Sequence, residues 1–239
     1  MKLKKWALLL TIVLCFGLVL AGCGNKPSSD PVQGSAPSES PSASPSEPAE
    51  KEDDSLAKIK QAGKLVLGTS ADYSPYEFHK IIDGKDQIVG FDIDIAREIA
   101  NDIGVELEIQ DISFDGLLAA LVAGNVDIVM AGMTPDEERA KSVDFSEIYY
   151  TAEQGVLVRA EDKDKYDTLE SLAGKTVGVQ TGSIQEDIAE EQLTNVTIKS
   201  LKNIQTLVME LKTKKIDAVI MELPVANGFL ANHSDLALA

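Results

Sequence analysis

A repeated pattern of two segments limits the folds that this chain can adopt. Residues 117–134, LLAALVAGNVDIVMAGMT, can be laid beside residues 207–224, LVMELKTKKIDAVIMELP. Each segment begins as an amphipathic helix and continues through Val-Asp or Ile-Asp into four apolar residues and a turn. The stretches that begin at Lys64 and Lys175 also match, because both are apolar and end in polar turns. The repeat predicts two α/β lobes of similar build, with polar turns at the carboxyl ends of their strands.

The pattern predicts lobe 1 at residues 56–152 and lobe 2 at residues 153–239, with a hinge at residues 149–154. In lobe 1 we expect strands near 65–69, 105–110 and 127–131, and helices near 92–103, 115–123 and 135–141. In lobe 2 we expect strands near 155–159, 176–180, 196–200 and 217–221, and helices near 184–192, 203–212 and 224–231. Polar turns that face each other across such lobes would form a cleft.

The segment VDIVMAGMTPDEERAKSVDFS, residues 126–146, combines a strand, a glycine turn and a helix start. Thr134, Pro135 and Glu137 match a hydroxyl N-cap, a proline in the first turn and a capping box. Free N–H groups at a helix start favour an anion, and Arg139 lies one turn further on. A guanidinium suits a carboxylate, so Gly132, Thr134 and Arg139 are candidate ligand residues. The alternative is that Thr134 only caps its helix and Arg139 pairs with a neighbouring acid or water.

Lobe 2 offers a second set of candidates at the ends of its strands. Gln180, Thr181 and Ser183 end a strand and begin a helix, which is a second N–H-rich cradle for an anion. Glu222 follows the matching strand just before a proline, where it could also simply cap a helix. Donors on one side and an acid on the other suit a zwitterion, with its carboxylate on Arg139 and its ammonium on Glu222.

Aromatic residues near the first strand could form the walls of the pocket. In GTSADYSPYEF, residues 68–78, Tyr73 is flanked by small polar residues and is a candidate wall, whereas Tyr76 and Phe78 are better explained as core. Phe114 could supply an opposing face, although a buried contact at a helix start explains it equally well.

The beginning of the chain predicts export. Residues 1–22 combine a basic start, a short apolar stretch and small residues, which is typical of a signal peptide. Leu20-Ala21-Gly22-Cys23 resembles the bacterial lipobox, in which cleavage leaves a lipid-bearing cysteine; a plain secretory peptide is the alternative. Residues 23–55 are rich in Ser, Pro and Glu and predict a disordered tether. Cleavage would remove Cys15, so no disulfide is possible within the mature chain.

Charge and composition exclude several functions. The formal net charge is −17, and removal of the three lysines at residues 2, 4 and 5 makes it −20. Such a surface is a poor partner for nucleic acid, whose binding relies on Lys and Arg. His79 lies in an apparent hairpin and His233 near the chain end, and we find no metal-ligand cluster and no catalytic triad. We therefore expect no metal, no cofactor and no enzyme activity.

Taken together, the segments resemble a known family. GTSADYSPYEF, IVGFDIDIAREIA, FDGLLAAL, GNVDIVMAGMTPDEERAKSVDFSEIYY, LAGKTVGVQTGS and IDAVIMELPVA are similar, in order, to the extracellular solute-binding proteins of family 3, from about residue 64 to residue 230. The resemblance implies a type II periplasmic-binding-protein fold with a ligand cleft between two α/β lobes. By position it implies that Arg139 binds the ligand carboxylate with Gly132, Thr134 and Ser183, that Glu222 binds the amino group, and that Tyr73 and Phe114 form the walls. Ser70 and Gln180 would line the side-chain end.

The resemblance also implies a function and a location. We expect a monomeric lipoprotein, anchored in the cell membrane through Cys23 and facing the outside or the periplasm. It would deliver a polar amino acid to an ABC permease with a cytoplasmic ATPase. A dehydratase-like enzyme of the same fold and a ligand-sensing receptor are the alternatives.

Two departures from the family pattern bear on the expectations. Ser70 stands where some relatives that bind cationic amino acids carry an aspartate, although Asp72 and Glu77 are near enough in sequence to substitute. The family also continues beyond the position of Ala239 with a return crossing to lobe 1, so we expect a chain truncated at its C-terminus and an incomplete second lobe.

Overall fold

The computed structural model describes residues 54–239. The predicted signal peptide (1–22), Cys23 and the tether up to residue 53 lie outside the described residues. Within residues 54–239, no helix is both long enough and apolar enough to cross a membrane.

The first half of the described chain, residues 54–152, contains two small sheets and three helices. The helices are α1 (Ser55–Ala62), α2 (Phe91–Ile103) and α3 (Leu117–Val122), and the strands are β1 (Lys64–Thr69), β2 (Asp72–Tyr73), β3 (Glu77–Ile82), β4 (Lys85–Val89), β5 (Glu106–Asp111) and β6 (Ile128–Val129). One sheet has the order β5-β1-β6 and is parallel. The other is the antiparallel sheet β2-β3-β4.

The second half, residues 153–239, is built around one five-stranded sheet. Its strands are β7 (Gln154–Arg159), β8 (Thr176–Gln180), β9 (Thr197–Leu201), β10 (Ala218–Glu222) and β11 (Leu236–Leu238), and its helices are α4 (Ile184–Gln192), α5 (Ile204–Lys212) and α6 (Leu223–Leu230). The order is β11-β7-β10-β8-β9, with β10, β8 and β9 parallel. All five residues of β10 are buried, as expected for a strand covered on both faces.

The repeated aspartates occupy matching places in the two parallel sheets. Asp127 accepts a hydrogen bond from the Val66 N–H at 2.8 Å and returns its own N–H to the Val66 carbonyl. Asp217 does the same with Thr176, at 2.9 Å for the side-chain bond. These contacts pair the start of the repeated strand with β1 in one sheet and with β8 in the other. The internal repeat is therefore a structural repeat.

A glycine in each sheet allows the repeated helix to pack closely. Gly68 in β1 faces Leu117 and Val126, and Gly178 in β8 faces Leu207 and Ile216. These partners lie at equivalent positions of the repeat, so Gly68 corresponds to Gly178.

Several predicted elements differ from those observed. Instead of a helix at 135–141, the chain forms a single 3-10 turn at Arg139–Lys141. The Arg139 N–H bonds to the Asp136 carboxylate at 2.8 Å, so Asp136 takes the capping role that we assigned to Thr134. The segment has few apolar residues to bury, which leaves a short helix without a packing partner. Helix α1 and strands β2 and β11 were not predicted, and residues 142–153 form no regular element.

The core joins the two halves of the chain. Tyr73 and Tyr76, from the first half, belong to the same buried cluster as Leu207, Met221 and Val225 of the second half. Residues 54–239 accordingly lie within one compact unit. The lobe boundaries at 152 and 153 remain a prediction.

We predict that Gly178→Ala destabilises the fold by about 1–3 kcal/mol, because the new Cβ would lie 2.6 Å from Ile216 Cδ1 and 2.8 Å from Leu207 Cδ2. Gly228→Ala is the matched control: it lies in α6 with its nearest neighbour at 3.6 Å, and alanine favours a helix. Urea unfolding of both variants measures the difference. Equal stability of the two variants would contradict the close packing at Gly178.

Candidate functional site

Arg139 lies at the junction of the two halves of the chain. Its guanidinium donates Nη1 to the Thr134 carbonyl and Nη2 to the Gly182 carbonyl at 2.9 Å. Its Nε lies 3.0 Å from the Asp136 carboxylate, and the side chain is only 9% exposed. Burial lowers the pKa of Arg139, an effect that the nearby acid Asp136 opposes. A buried cation held largely by neutral carbonyls is well placed to receive an anion.

Phe114 completes the surroundings of Arg139. The guanidinium carbon lies 5.7 Å from the centre of the Phe114 ring, which is itself buried. Phe114 begins a 3-10 turn before α3, and it packs with Leu117 and Ala131. Both explanations that we considered for Phe114 are therefore compatible with its position.

The predicted cradle in the second half is closed by its own residues. Ser183 caps α4, because its hydroxyl accepts from the Glu186 N–H. The same hydroxyl donates to the Gln180 carbonyl. The Gly182 N–H donates to the Glu186 carboxylate at 2.7 Å. Thr181 accepts from the Ser200 hydroxyl. In this state, these bonds use groups that an anion would otherwise engage.

Glu222 ends β10 and precedes α6, but its side chain makes no capping bond to that helix. Its N–H donates to the Tyr73 hydroxyl at 3.2 Å. Burial raises the pKa of Glu222, an effect that the Tyr76 hydroxyl partly offsets and Asp92 increases. The alternative that Glu222 simply caps its helix is therefore not what the structure shows.

Two cavities divide the predicted site residues. The larger, about 970 Å³, is lined by Gly132, Thr134 and Glu222 together with Asp92 and Tyr76. The smaller, about 670 Å³, is lined by Ser70 and Asp72 and by both histidines, His79 and His233. Neither cavity is lined by Tyr73, Phe114, Arg139, Gln180, Thr181 or Ser183. The structure thus brings Glu222 together with the glycine turn and leaves Arg139 beside them, against Phe114 and Gly182.

Asp72 contacts the second half of the chain. Its Oδ2 accepts from the Asn203 amide and from the Ile204 N–H, both at 2.8 Å, and the Gln205 amide donates to its carbonyl. Asp72 therefore satisfies the first turn of α5 across the junction. A salt bridge of 2.8 Å between Lys202 and Asp115 supports the same junction.

Glu77 and Asp92 form a buried acidic pair beside the larger cavity. Both are fully buried, and Asp92 accepts from the Gly132 N–H at 2.8 Å and from the Tyr149 hydroxyl at 3.1 Å. Burial, followed by the charges of Asp92 and Asp72, raises the pKa of Glu77 well above its ordinary value. Both Glu77 carboxyl oxygens are buried without a hydrogen-bond partner among residues 54–239, so an uncharged Glu77 avoids the repulsion between two buried carboxylates.

Sequence reasoning did not find this pair or the contacts of Asn203 and Lys202. The signal for Asp92 was its place in the first turn of α2, two residues after Gly90, where acids also occur simply because they suit a helix start.

Known proteins match this arrangement and this sequence. The profile of the bacterial extracellular solute-binding proteins, family 3, matches residues 65–182. The arginine-binding extracellular protein ArtP of Bacillus subtilis is 39% identical over 236 residues, which cover 98% of this chain and 79% of that protein. The chain belongs to the bacterial extracellular solute-binding proteins, family 3.

Solved structures of similar proteins agree with this family 3 assignment. The crystal structure of the amino acid ABC transporter substrate-binding protein AbpA from Streptococcus pneumoniae, bound to L-arginine, has a TM-score of 0.75 and 45% identity, over 77% of each chain. The ancestral amino acid-binding protein AncCDT-1, a precursor of cyclohexadienyl dehydratase, has a TM-score of 0.72 and 36% identity, over 77% of this chain and 80% of that one. The predicted fold class is confirmed: this family 3 protein has the type II periplasmic-binding-protein fold.

We predict that Asp72→Asn changes how stability depends on pH. Burial, then the charge of Asp111, raises the pKa of Asp72 to about 6, while the Ile204 N–H opposes the shift. Because the folded pKa lies above the unfolded value, the wild type loses stability as pH rises from about 4 through about 6. The Asn variant lacks this loss, so between pH 4 and pH 7 the stability difference should move in its favour by about 2–3 kcal/mol.

Urea unfolding at both pH values measures this difference, with Asp102→Asn, an exposed acid on α2, as the control. A constant difference between Asp72→Asn and the wild type from pH 4 to pH 7 would mean that Asp72 does not titrate in this range.

Proposed function

We propose that the protein captures an amino acid outside the membrane and delivers it to an ABC permease driven by a cytoplasmic ATPase. L-Arginine is the first ligand to test. The observation that carries the proposal is that two similar proteins, one from Bacillus subtilis and one from Streptococcus pneumoniae, are described as arginine-binding and as bound to L-arginine.

The chemistry of Arg139 supports a carboxylate ligand. Its guanidinium now donates to one carbonyl of the first half, Thr134, and one of the second, Gly182. A ligand carboxylate in place of these carbonyls would gain charge-assisted, bidentate bonds. It would also bring the two halves together around one anion.

The larger cavity supports an ammonium group at the opposite pole of the ligand. Glu222 and Asp92 both line it, and Glu77 lies behind them. A positively charged group would offset the cost of these buried acids. Gly132 and Thr134, which we expect at the ligand carboxylate, line the same cavity.

The positions assigned to the ligand side chain remain predictions. Ser70 and Gln180 would line its end, with Tyr73 and Phe114 as walls. Asp72 is engaged with α5, so a guanidinium side chain would have to compete with Asn203 and Ile204 for its carboxylate.

We propose binding without catalysis. The described histidines, His79 and His233, line the smaller cavity, and His79 is paired with Asp86 and Asp111. Glu222 and Asp92 are acids of the larger cavity, and both already serve the proposed ammonium. The similarity to AncCDT-1, itself described as an amino acid-binding protein, is compatible with this view.

We also propose a monomer that is anchored through lipid on Cys23 and faces the outside of the cell or the periplasm. The support is the Leu20-Ala21-Gly22-Cys23 motif at the end of an apolar stretch. A lipid anchor on a long polar tether would keep the folded part near a permease while leaving it free to move.

We predict that Arg139→Ala weakens L-arginine binding by about 2–5 kcal/mol, because it removes a charge-assisted bidentate pair. Arg139→Lys should recover only part of this, since an ammonium cannot fork. Arg97→Ala is the matched control, because Arg97 is a half-exposed cation that pairs with Asp94 on α2. Isothermal titration calorimetry against L-arginine and the other amino acids measures the affinities.

An affinity unchanged by Arg139→Ala would remove Arg139 from the site. Failure of the wild type to bind any amino acid would overturn the proposed function itself.

We predict that Cys23→Ser releases the protein from the membrane, because the serine hydroxyl cannot form the thioether that carries the lipid. Cell fractionation followed by mass spectrometry of the N-terminal peptide tests this. Recovery of an unlipidated wild-type protein in the soluble fraction would support the plain secretory peptide instead.

A further inference from the structure

Asp92 holds two groups that lie far apart in the sequence. Its Oδ2 accepts from the Gly132 N–H at 2.8 Å, and its Oδ1 accepts from the Tyr149 hydroxyl at 3.1 Å. Asp92 is fully buried at the start of α2, whose backbone is fixed there by bonds from the Phe91 and Asp92 N–H groups to the carbonyls of Pro75 and Tyr76. Its carboxylate is therefore a rigid acceptor.

Gly132 needs such a support. Its φ is +56°, and a Cβ there would lie 3.3 Å from the Tyr73 ring, so the residue passes close to the aromatic wall. The turn around it, residues 130–134, has no regular structure to hold it. The hydrogen bond from the Gly132 N–H to Asp92 orients the Gly132 peptide. Two residues later comes Thr134, whose carbonyl accepts from Arg139.

Tyr149 belongs to the irregular segment, residues 142–153, that connects the two halves of the chain. Its ring is half-exposed and lies 6.0 Å from Phe91, so its hydroxyl bond to Asp92 is its buried anchor. The same carboxylate thus restrains the glycine turn and the connecting segment.

We propose that Asp92 is a positioning residue of the ligand site, which orients the 130–134 turn through the Gly132 N–H and fastens that turn to the connecting segment through Tyr149. This inference rests on the proposed function, because it assigns the turn to the ligand. Asp92 does not have to touch the ligand; it acts by presenting Gly132 and Thr134 in the orientation that the ligand meets.

The ionisation of Glu77 affects how well the Asp92 carboxylate supports the turn. Glu77 lies on β3, and both of its carboxyl oxygens are buried without a hydrogen-bond partner among residues 54–239. The titratable groups that face it are Asp92 on α2, Asp72 and Tyr73 on β2, Glu222 at the start of α6, and Tyr149. An uncharged Glu77 leaves the Asp92 charge for Gly132 and Tyr149. Loss of its proton places a second charge against Asp92, which weakens the support as pH rises.

The test combines ligand affinity with the NMR signal of the Gly132 amide. In Asp92→Asn, an amide replaces one acceptor, so the Gly132 amide proton should move upfield and L-arginine should bind about tenfold more weakly or worse. Tyr149→Phe removes only the hydroxyl bond, and it should weaken binding by about threefold while the Gly132 signal keeps its downfield position. Asp94→Asn, on the same turn of α2 but exposed and paired with Arg97, is the control and should change neither.

The pH profile separates positioning from a merely structural role. In the wild type, the Gly132 amide proton should move upfield as pH rises, and the affinity for L-arginine should fall over the same pH range. In Glu77→Gln, which carries no charge at any pH, these changes should be absent.

Folded Asp92→Asn protein with wild-type affinity, or an unshifted Gly132 amide, would overturn the inference and leave the proposed function intact. Should Asp92→Asn not fold, Tyr149→Phe and the wild-type pH profile decide. Unchanged affinity in Tyr149→Phe, together with a Gly132 amide chemical shift that does not depend on pH in the wild type, would overturn the inference. Should the wild type bind no amino acid, the proposed function fails, while the Gly132 signal still reports on Asp92.

Discussion

The pairing of a repeated aspartate with β1 in one sheet and with β8 in the other underlies the rest of the structure. The carboxylates of Asp127 and Asp217 each accept from a backbone N–H of the neighbouring strand, and their own N–H groups donate to the carbonyl of the same residue. Side chains alternate along a strand, so a register error of one residue would turn each apolar face outward. With this register, the carboxyl ends of β1 and β6 lie at one edge of their sheet, and those of β8 and β10 lie at one edge of theirs. The candidate site therefore follows from two equivalent backbone contacts.

Polar groups hold the two halves together. Each of them makes a hydrogen bond or salt bridge to a partner on the other side of the junction. Arg139 reaches Gly182, Asp72 reaches the first turn of α5, and Lys202 reaches Asp115. Such contacts are strong only while their geometry is kept, since a buried polar group without a partner is costly. A ligand that supplies better partners for Arg139 can compete with them. In the proposed function, the ligand would therefore replace hydrogen bonds that Arg139 makes within the protein.

Regular elements with clear periodicity were predicted well, and the irregular ones were not. Strands β1, β5, β7, β8, β9 and β10 and helices α2, α4, α5 and α6 lie within one or two residues of their predicted bounds. The helix expected at 135–141 was wrong, because capping signals favour a helix start only where an apolar face can then be buried. The hairpin β3–β4 was signalled by Asp83-Gly84, both of which have positive φ, although its strands carry a mixed pattern. The exposed segment 142–153 carries no period that indicates its path.

The sequence by itself determined the α/β fold class and the family, because these depend on local periodicity and short motifs. Only the tertiary structure decided which groups each side chain serves. It assigned Asp72 to α5, showed that Glu222 does not cap its own helix, and revealed Asp92 and Glu77 behind the glycine turn. The physical reason is that hydrogen bonds and pKa values depend on burial and on distances of about 3 Å between residues up to 149 positions apart. No local pattern records those distances.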